Sequence, residues 1–315
     1  MKFLRNNSRK EIRFQRYTGL NFTQLSILAE KIEPLWIQSE ITRLNRAGRS
    51  RKIGGGRSYS LDFTKDKLST VLMYYKMHIT QELLGDLVGI DQSNVSRLLT
   101  KMLPLIEEAA DPELKSFLEK AKNDARKRMG NLNDFWNLYP DLRDVSTDTT
   151  EQSVYRSKDY ETQKKDYSGK SKQHAAKVQI SVAQSGRILD VSESYPGSFH
   201  DKKIIDQEDT VKKLDKRVPH RFDSAFQGLK DDNPDHYIII PVKKTKTKKE
   251  LAPLEKEHNR ANSKRRIVAE HAFCKVKKFK ICSNTFRQPR EKHNKTVRNV
   301  VAIVNFKRRQ TAAKM

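Results

Sequence analysis

Asp144-Val-Ser-Thr-Asp148-Thr-Thr-Glu151 is the stretch on which the reading of the fold turns. It is a β-prone run with carboxylates set into it, and it follows a long region patterned for helices. From here on the pattern is one of short strands: 144–150, 176–183, 187–194, 218–223 and 236–242. A basic helical stretch over 257–281 follows, and then a last helix over 293–308 with Val297, Val300, Val301 and Val304 at helical spacing. The expectation is an α/β domain from about residue 144 to 308.

Upstream, residues 22–46 place Leu25, Leu28, Ile32, Leu35, Trp36 and Ile41 at roughly helical spacing, with Pro34 expected to break or restart the helix. The run from Ala47 to Arg57 is rich in Gly, Arg and Lys, and reads as a basic link able to follow a DNA backbone or minor groove, or simply as a solvated linker. Residues 61–107 read as helices broken once, around Gly89-Ile90-Asp91, and closed by Pro104 and an acidic patch. The expected divisions are 1–58, a helical and basic segment with linker; 59–110, an all-helical domain; 111–143, a helical connector; and 144–308, the α/β domain.

Thr80-Gln-Glu-Leu-Leu-Gly-Asp-Leu-Val-Gly-Ile-Asp-Gln-Ser-Asn-Val-Ser-Arg-Leu-Leu-Thr100 has the grammar of a helix-turn-helix. Leu84, Leu87 and Val88 give the first helix an inner face, Gly89 the turn, Ile90 a plug between helices, and Asp91 or Ser93 a cap. The second helix buries Val95, Leu98 and Leu99, which leaves Gln92, Ser93, Asn94, Ser96, Arg97 and Lys101 to face base edges and phosphates.

The composition agrees with a polyanionic partner: 64 Lys and Arg against 39 acids give a net charge of +25. An apolar content of 36% still permits a core. No apolar run is long enough to span a membrane, and the start Met-Lys-Phe-Leu-Arg lacks the apolar core of a signal peptide. An intracellular protein is expected, in the cytoplasm or nucleoid of a bacterium or the nucleus of a eukaryote. Cys274 and Cys282 are too few for a disulfide framework or a zinc site, and both read as packing residues.

In so basic a chain, carboxylates at strand ends point to metal-dependent phosphoryl transfer, which needs hard oxygen ligands gathered in one site. Asp148 in the first strand, Asp223 at the end of a later one and Glu270 in the long helix are the candidates. Oxygen ligands from two strands and a helix can bridge two divalent ions. Arg266, Glu270 and Lys277 share a helix face, so cations stand beside the acid, suited to gripping phosphates. His200 and His271 flank acids, yet hard cations prefer oxygen.

Asp148-Thr-Thr-Glu151, Tyr167-Ser-Gly-Lys170, His174, Lys177, Pro196-Gly-Ser198, His200-Asp201, Asp223 followed by Gln227-Gly228, Arg266 to Lys277 and Asn305-Phe306 stand in one order. In that order the chain resembles the DDE transposases of the Harbinger and insertion-sequence-5 superfamily, over about residues 60–308. The resemblance implies an α/β RNase H-like catalytic domain, a mixed five-stranded sheet with flanking helices, beside the all-α helix-turn-helix domain. The first Asp is then on the first strand, the second after the fourth, and the Glu on a later helix. It further implies a transposase that binds terminal inverted repeats, cleaves the element ends and joins them to target DNA. Its cofactors would be two Mg²⁺ or Mn²⁺ ions on Asp148, Asp223 and Glu270, its partner double-stranded DNA, and its assembly a homodimer or larger.

Asp201 also belongs to the family's pattern and is a further candidate ligand, although a helix cap or an orienting role is favoured. Lys170, Lys172 and Lys177 would contact phosphates beside the first Asp. The chain departs from the family at Ser263, where Tyr is usual, and at Asp223-Ser-Ala-Phe-Gln227, where a Gly-Tyr pair more often follows the acid. A regulator that keeps only DNA binding, and a nuclease or resolvase that only hydrolyses, are the alternatives.

Overall fold

Asn21 starts a long helix by accepting the Gln24 backbone N–H at 2.8 Å, while the Gln24 side chain accepts the Asn21 N–H at 3.1 Å. This reciprocal cap satisfies two donors that a helix start leaves orphaned. The computed structural model describes residues 8–45, 48, 60, 61, 63–128, 132–244 and 249–313. The basic run from Ala47 to Arg57, apart from Gly48, and residues 245–248, within the lysine-rich stretch 243–249, lie outside them. The chain forms two compact units: the described part of Met1–Pro112 with Lys277–Asn284 and Thr296–Met315, and Glu113–Val276 with Thr285–Lys295.

The first unit holds α1 (Ser8–Thr18), α2 (Phe22–Leu44), α3 (Thr64–Met77), α4 (Gln81–Val88) and α5 (Gln92–Ala110). Its core gathers Leu25, Leu28, Ile32, Leu68, Leu72, Tyr75, Val95, Leu99, Met102 and Ile106, all 5% exposed or less. Both prolines expected to stop helices lie inside them, Pro34 in α2 and Pro104 in α5. In each case buried side chains flank the proline, Ile32 and Trp36 in one helix and Met102 and Ile106 in the other. Packing of a continuous apolar stripe outweighs one lost backbone hydrogen bond.

A second break that the sequence did not signal separates α3 from α4, where His78 takes a left-handed φ of 53°. Thr80 then caps α4, its hydroxyl accepting from Leu83 N at 3.2 Å. The α4–α5 elbow follows the expected grammar only in part. Gly89 is left-handed (φ 75°) and Leu84 is fully buried, but Leu87 is 48% exposed and Asp91 caps α5 without a side-chain hydrogen bond. Gly85 takes the inner place assigned to Leu87. A Cβ there would stand 2.5 Å from the Ile90 carbonyl, so only glycine lets the turn close.

The second unit holds α6 (Phe117–Arg128), α7 (Leu132–Leu138), β1 (Val145–Ser153), α8 (Tyr160–Asp166), β2 (Tyr167–Ser168), β3 (Gln173–Ala183), β4 (Ile188–Val191), β5 (Tyr195–Pro196), α9 (Asp201–Gln207), β6 (His220–Arg221), α10 (Leu229–Asp232), β7 (Ile238–Ile239) and α11 (Pro253–Lys277). Strand order is β2-β3-β1-β6-β7, with β4 and β5 also pairing β3. β1 and β3 are antiparallel over nine pairs, while β6 and β7 run parallel to β1. This mixed sheet with flanking helices is an RNase H-like arrangement. The five expected strands are present, and the two-residue β2 and β5 bring the count to seven.

Two apolar clusters seat the sheet. Phe135, Leu142, Val145, Leu189 and Val218 pack at the start of β1, and Ile205, Phe222, Phe226, Leu229 and Ile238 pack beside β6 and β7. The final helix, α12 (His293–Ala312), counts with the helical unit from Thr296 on. There Arg298 and Arg309 meet the buried Glu107 and Asp111 at 2.9 and 3.0 Å. Cys282 is buried as expected, whereas Cys274 is exposed. No helix among the described residues is long and apolar enough to cross a membrane.

Candidate active site and nucleic-acid interface

Side chains along a strand alternate between faces, and β1 uses the two faces differently. On one, three polar rungs join it to β3. Thr147 Oγ1 meets Ser181 Oγ at 2.7 Å, Thr149 stands opposite Gln179, and Glu151 faces Lys177 at 3.4 Å. The other face carries Asp148 toward α11 and Gln152 toward His293, which are 3.0 Å apart in the second case.

Asp148 and Asp223 converge on one cation. Arg266 of α11 reaches Asp148 Oδ2 at 3.8 Å and Asp223 Oδ1 at 3.4 Å. Asp223 follows β6 and caps the turn after it through the Ser224 N–H. Burial pushes the Asp148 carboxyl above the ordinary carboxylate range, opposed by the Thr149 N–H, Arg266 and Lys170, and reinforced by Asp223. A half-buried acid with that balance lacks counter-charge. Glu270 lies one turn beyond Arg266, is exposed, and its side chain makes no hydrogen bond or ion pair among the described residues. Among those residues no three His, Cys, Asp or Glu side chains are gathered closely enough to hold a metal ion. The structure thus brings two of the three candidate acids together.

Lys177 is 6% exposed, so its ammonium faces the interior rather than a phosphate. It donates to the Phe199 carbonyl at 2.8 Å and to Asp201 Oδ1 at 2.9 Å, besides facing Glu151. Asp201 is therefore spent on Lys177 at the first turn of α9, and the cap of that helix is His200, whose Nδ1 accepts from Lys202 N at 3.3 Å. Lys170 and Lys172 are exposed in the β2–β3 turn, with Lys172 left-handed at φ 53°. Lys277, the last residue of α11, is half-buried, and His271 is exposed.

Sequence reasoning passed over the anchor of α11. Asp144, 6% exposed at its side chain, accepts from Arg221 Nε at 2.7 Å and from Arg265 Nη1 at 2.9 Å. Arg221 also donates to Asn262 Oδ1 at 3.0 Å. One buried acid thus ties the start of β1, the end of β6 and the helix bearing Arg266 and Glu270. The available signal was an acid directly before an apolar strand residue, a place where an unpaired charge is rarely tolerated.

His220 was missed as well. Its Nε2 stands 2.7 Å from Thr147 Oγ1, its ring lies 4.1 Å from that of Phe222, and burial pushes its pKa down to about 3. That folded value lies below the roughly 6.5 of an unfolded imidazole. As pH falls, the unfolded chain therefore binds the proton first. The stability of the neutral ring is complete above about pH 6.5 and is lost progressively toward pH 3. His293, down to about 4 by burial and Arg290, acts in the same sense. Melting temperature should fall between about pH 7 and pH 4. His220→Asn should flatten that slope; an unchanged slope would show that the ring titrates normally.

On α5, Gln92, Ser93 and Arg97 are exposed, and Asn94, Ser96 and Lys101 half-buried. Arg97 donates to Asn94 Oδ1 at 3.0 Å, and Gln92 to Gln81 at 3.2 Å. Lys101 meets Glu40 at 3.0 Å and lies over the Trp36 ring, so it is engaged within the helical unit. A cavity of about 370 Å³ opens here, lined in part by Trp36, Lys67, Asn94, Arg97 and Lys101.

Comparison with known proteins agrees with both halves of this picture. Residues 147–305 match the family described as DDE superfamily endonuclease, and residues 60–112 the helix-turn-helix of DDE superfamily endonuclease. The chain belongs to the DDE superfamily of endonucleases, as a DDE-type transposase with a DNA-binding helix-turn-helix. It is 26% identical over 262 residues to a probable transposase for insertion sequence element IS702 from Microchaete diplosiphon, covering 83% of this chain and 86% of that one. No solved structure matches it. Endonucleases of this superfamily are generally dependent on divalent metal.

Proposed function

We propose that this transposase binds the terminal inverted repeats of a mobile DNA element, cleaves its ends and joins them to target DNA. Asp148, Asp223 and Glu270 are the ligands of divalent ions in this reading, Mg²⁺ or Mn²⁺, two to a site. Residues 59–110 bind DNA, 111–143 connect, and 144–308 carry the chemistry. Two copies hold the two ends.

The observation that carries the reading is the pair Asp148 and Asp223, brought from two parallel strands onto the single guanidinium of Arg266. Even with that neighbour Asp148 stays raised, which supports a hard cation as its further counter-charge. The donor set fits, being carboxylate oxygens throughout. When bound, such ions activate the attacking oxygen and stabilise the leaving one.

The chain's own residues do the rest. Asp148 and Asp223 fix the direction of the oxygen donors, each held by a backbone N–H. Glu270, unengaged and one turn from Arg266, joins them by side-chain rotation. Arg266, once released from the two carboxylates, and the exposed Lys170 bind the phosphates on either side of the scissile bond. Gln92, Ser93, Asn94, Ser96 and Arg97 read base edges.

A precleaved element end with a free 3′-hydroxyl, incubated with target DNA and Mg²⁺ or Mn²⁺, tests this. Joined products are expected. Purely hydrolytic products would make the chain a nuclease and overturn the joining step.

A further inference from the structure

Two exposed helix faces of the helical unit match each other. α4 contains no Lys or Arg in a chain of charge +25. Its outward residues are Glu82 and Asp86, with Leu83 and Leu87 each 48% exposed. α1 offers a face of opposite charge: Arg13 and Arg16 are exposed, with Ile12 53% and Tyr17 38% exposed. At 3.6 residues per turn each set falls within roughly 140° of its helix, the acids beside the leucines on α4 and the arginines between Ile12 and Tyr17 on α1. The inner sides of both helices are already used, by Phe14 and Thr18 in α1 and by Leu84 and Gly85 in α4.

An acidic stripe repels phosphate, so α4 does not turn this face to DNA. Two leucines half in water beside two acids suit a basic, apolar protein surface instead. The exposed face of α1 is such a surface. We infer that α4 of one copy docks on α1 of a second copy, and that the reciprocal contact forms across a two-fold axis. One such contact is an eight-residue helix face, too small by itself for a stable interface. Two related by symmetry close the assembly at a dimer. The inference rests on the proposed end joining only for its purpose, since two ends need two copies.

Light scattering of the full chain, without DNA or metal, tests it. At tens of micromolar and low salt the wild type should weigh about twice 36.7 kDa. Glu82→Lys with Asp86→Lys, and separately Arg13→Glu with Arg16→Glu, should each return the mass to 36.7 kDa. An equal mixture of the two variants should restore the doubled mass, because each reversed stripe then faces its complement on both contacts. Should a reversed variant melt early, Leu83→Gln with Leu87→Gln replaces it, with the same expected loss of dimer. A monomeric wild type, reversed variants that stay dimeric, or folded variants that fail to pair when mixed would each overturn the inference. Absent cleavage would leave it standing, and a monomer would leave the cleavage chemistry standing.

Discussion

Asp148→Asn, Asp223→Asn and Glu270→Gln should each lower cleavage of element ends at least about a thousandfold, near 4 kcal/mol of barrier. Each substitution keeps size and shape while removing a hard anionic donor. Binding of the terminal repeat should persist, because the residues proposed to read DNA lie on α5. For Asp148 a second readout separates a chemical role from a structural one. Its carboxyl is held above the ordinary range chiefly by burial, so the ionised form destabilises the metal-free fold at neutral pH. The neutral amide should therefore melt no lower than the wild type without metal, and lose the stabilisation that Mg²⁺ or Mn²⁺ gives. A Glu270→Gln protein with full activity would remove that residue from the ligand set.

Asp144→Ala should unfold the sheet unit more readily than any change at the acids themselves. It leaves the half-buried Arg221 without its carboxylate, and breaking a buried pair in this way costs roughly 3–5 kcal/mol. For a unit of this size that is a fall of about 10 °C in melting temperature. Activity should fall further than stability explains. Arg265 loses its partner, and Arg221, which holds Asn262, loses the acid that orients it, so α11 is less firmly fixed and Arg266 and Glu270 shift by the small distances to which phosphoryl transfer is sensitive. Calorimetry with a strand-transfer assay at a temperature where the variant is folded separates the two effects. Wild-type melting would show that Arg221 finds another partner.

The legible parts of this molecule were those written in local periodicity. Val95, Leu98 and Leu99 on α5, the turn at Gly89, and the five strands around Asp148 could be read because neighbours in sequence decide them. What could not be read depends on partners far along the chain. Pro34 and Pro104 sit within helices because the side chains around them are buried by other elements. His78 ends α3 in the left-handed region, which histidine enters more often than most residues but still too seldom for the sequence to signal it. Lys177 looks like a phosphate contact in a basic run, yet β3 turns it inward to Asp201 and Glu151, residues 24 and 26 positions away. The acids of the site were visible as residue types, but Arg266 between Asp148 and Asp223 is visible only in three dimensions.

The polar rungs between β1 and β3 set a condition on the whole unit. An apolar strand pair can slide by two residues and still bury the same face, whereas Thr147 with Ser181, and Glu151 with Lys177, are matched in the observed alignment. A slip by one would also carry Asp148 to the opposite side of the sheet, away from α11. The contacts that keep these two strands in step are therefore the same ones that decide whether Asp148 and Asp223 meet at all.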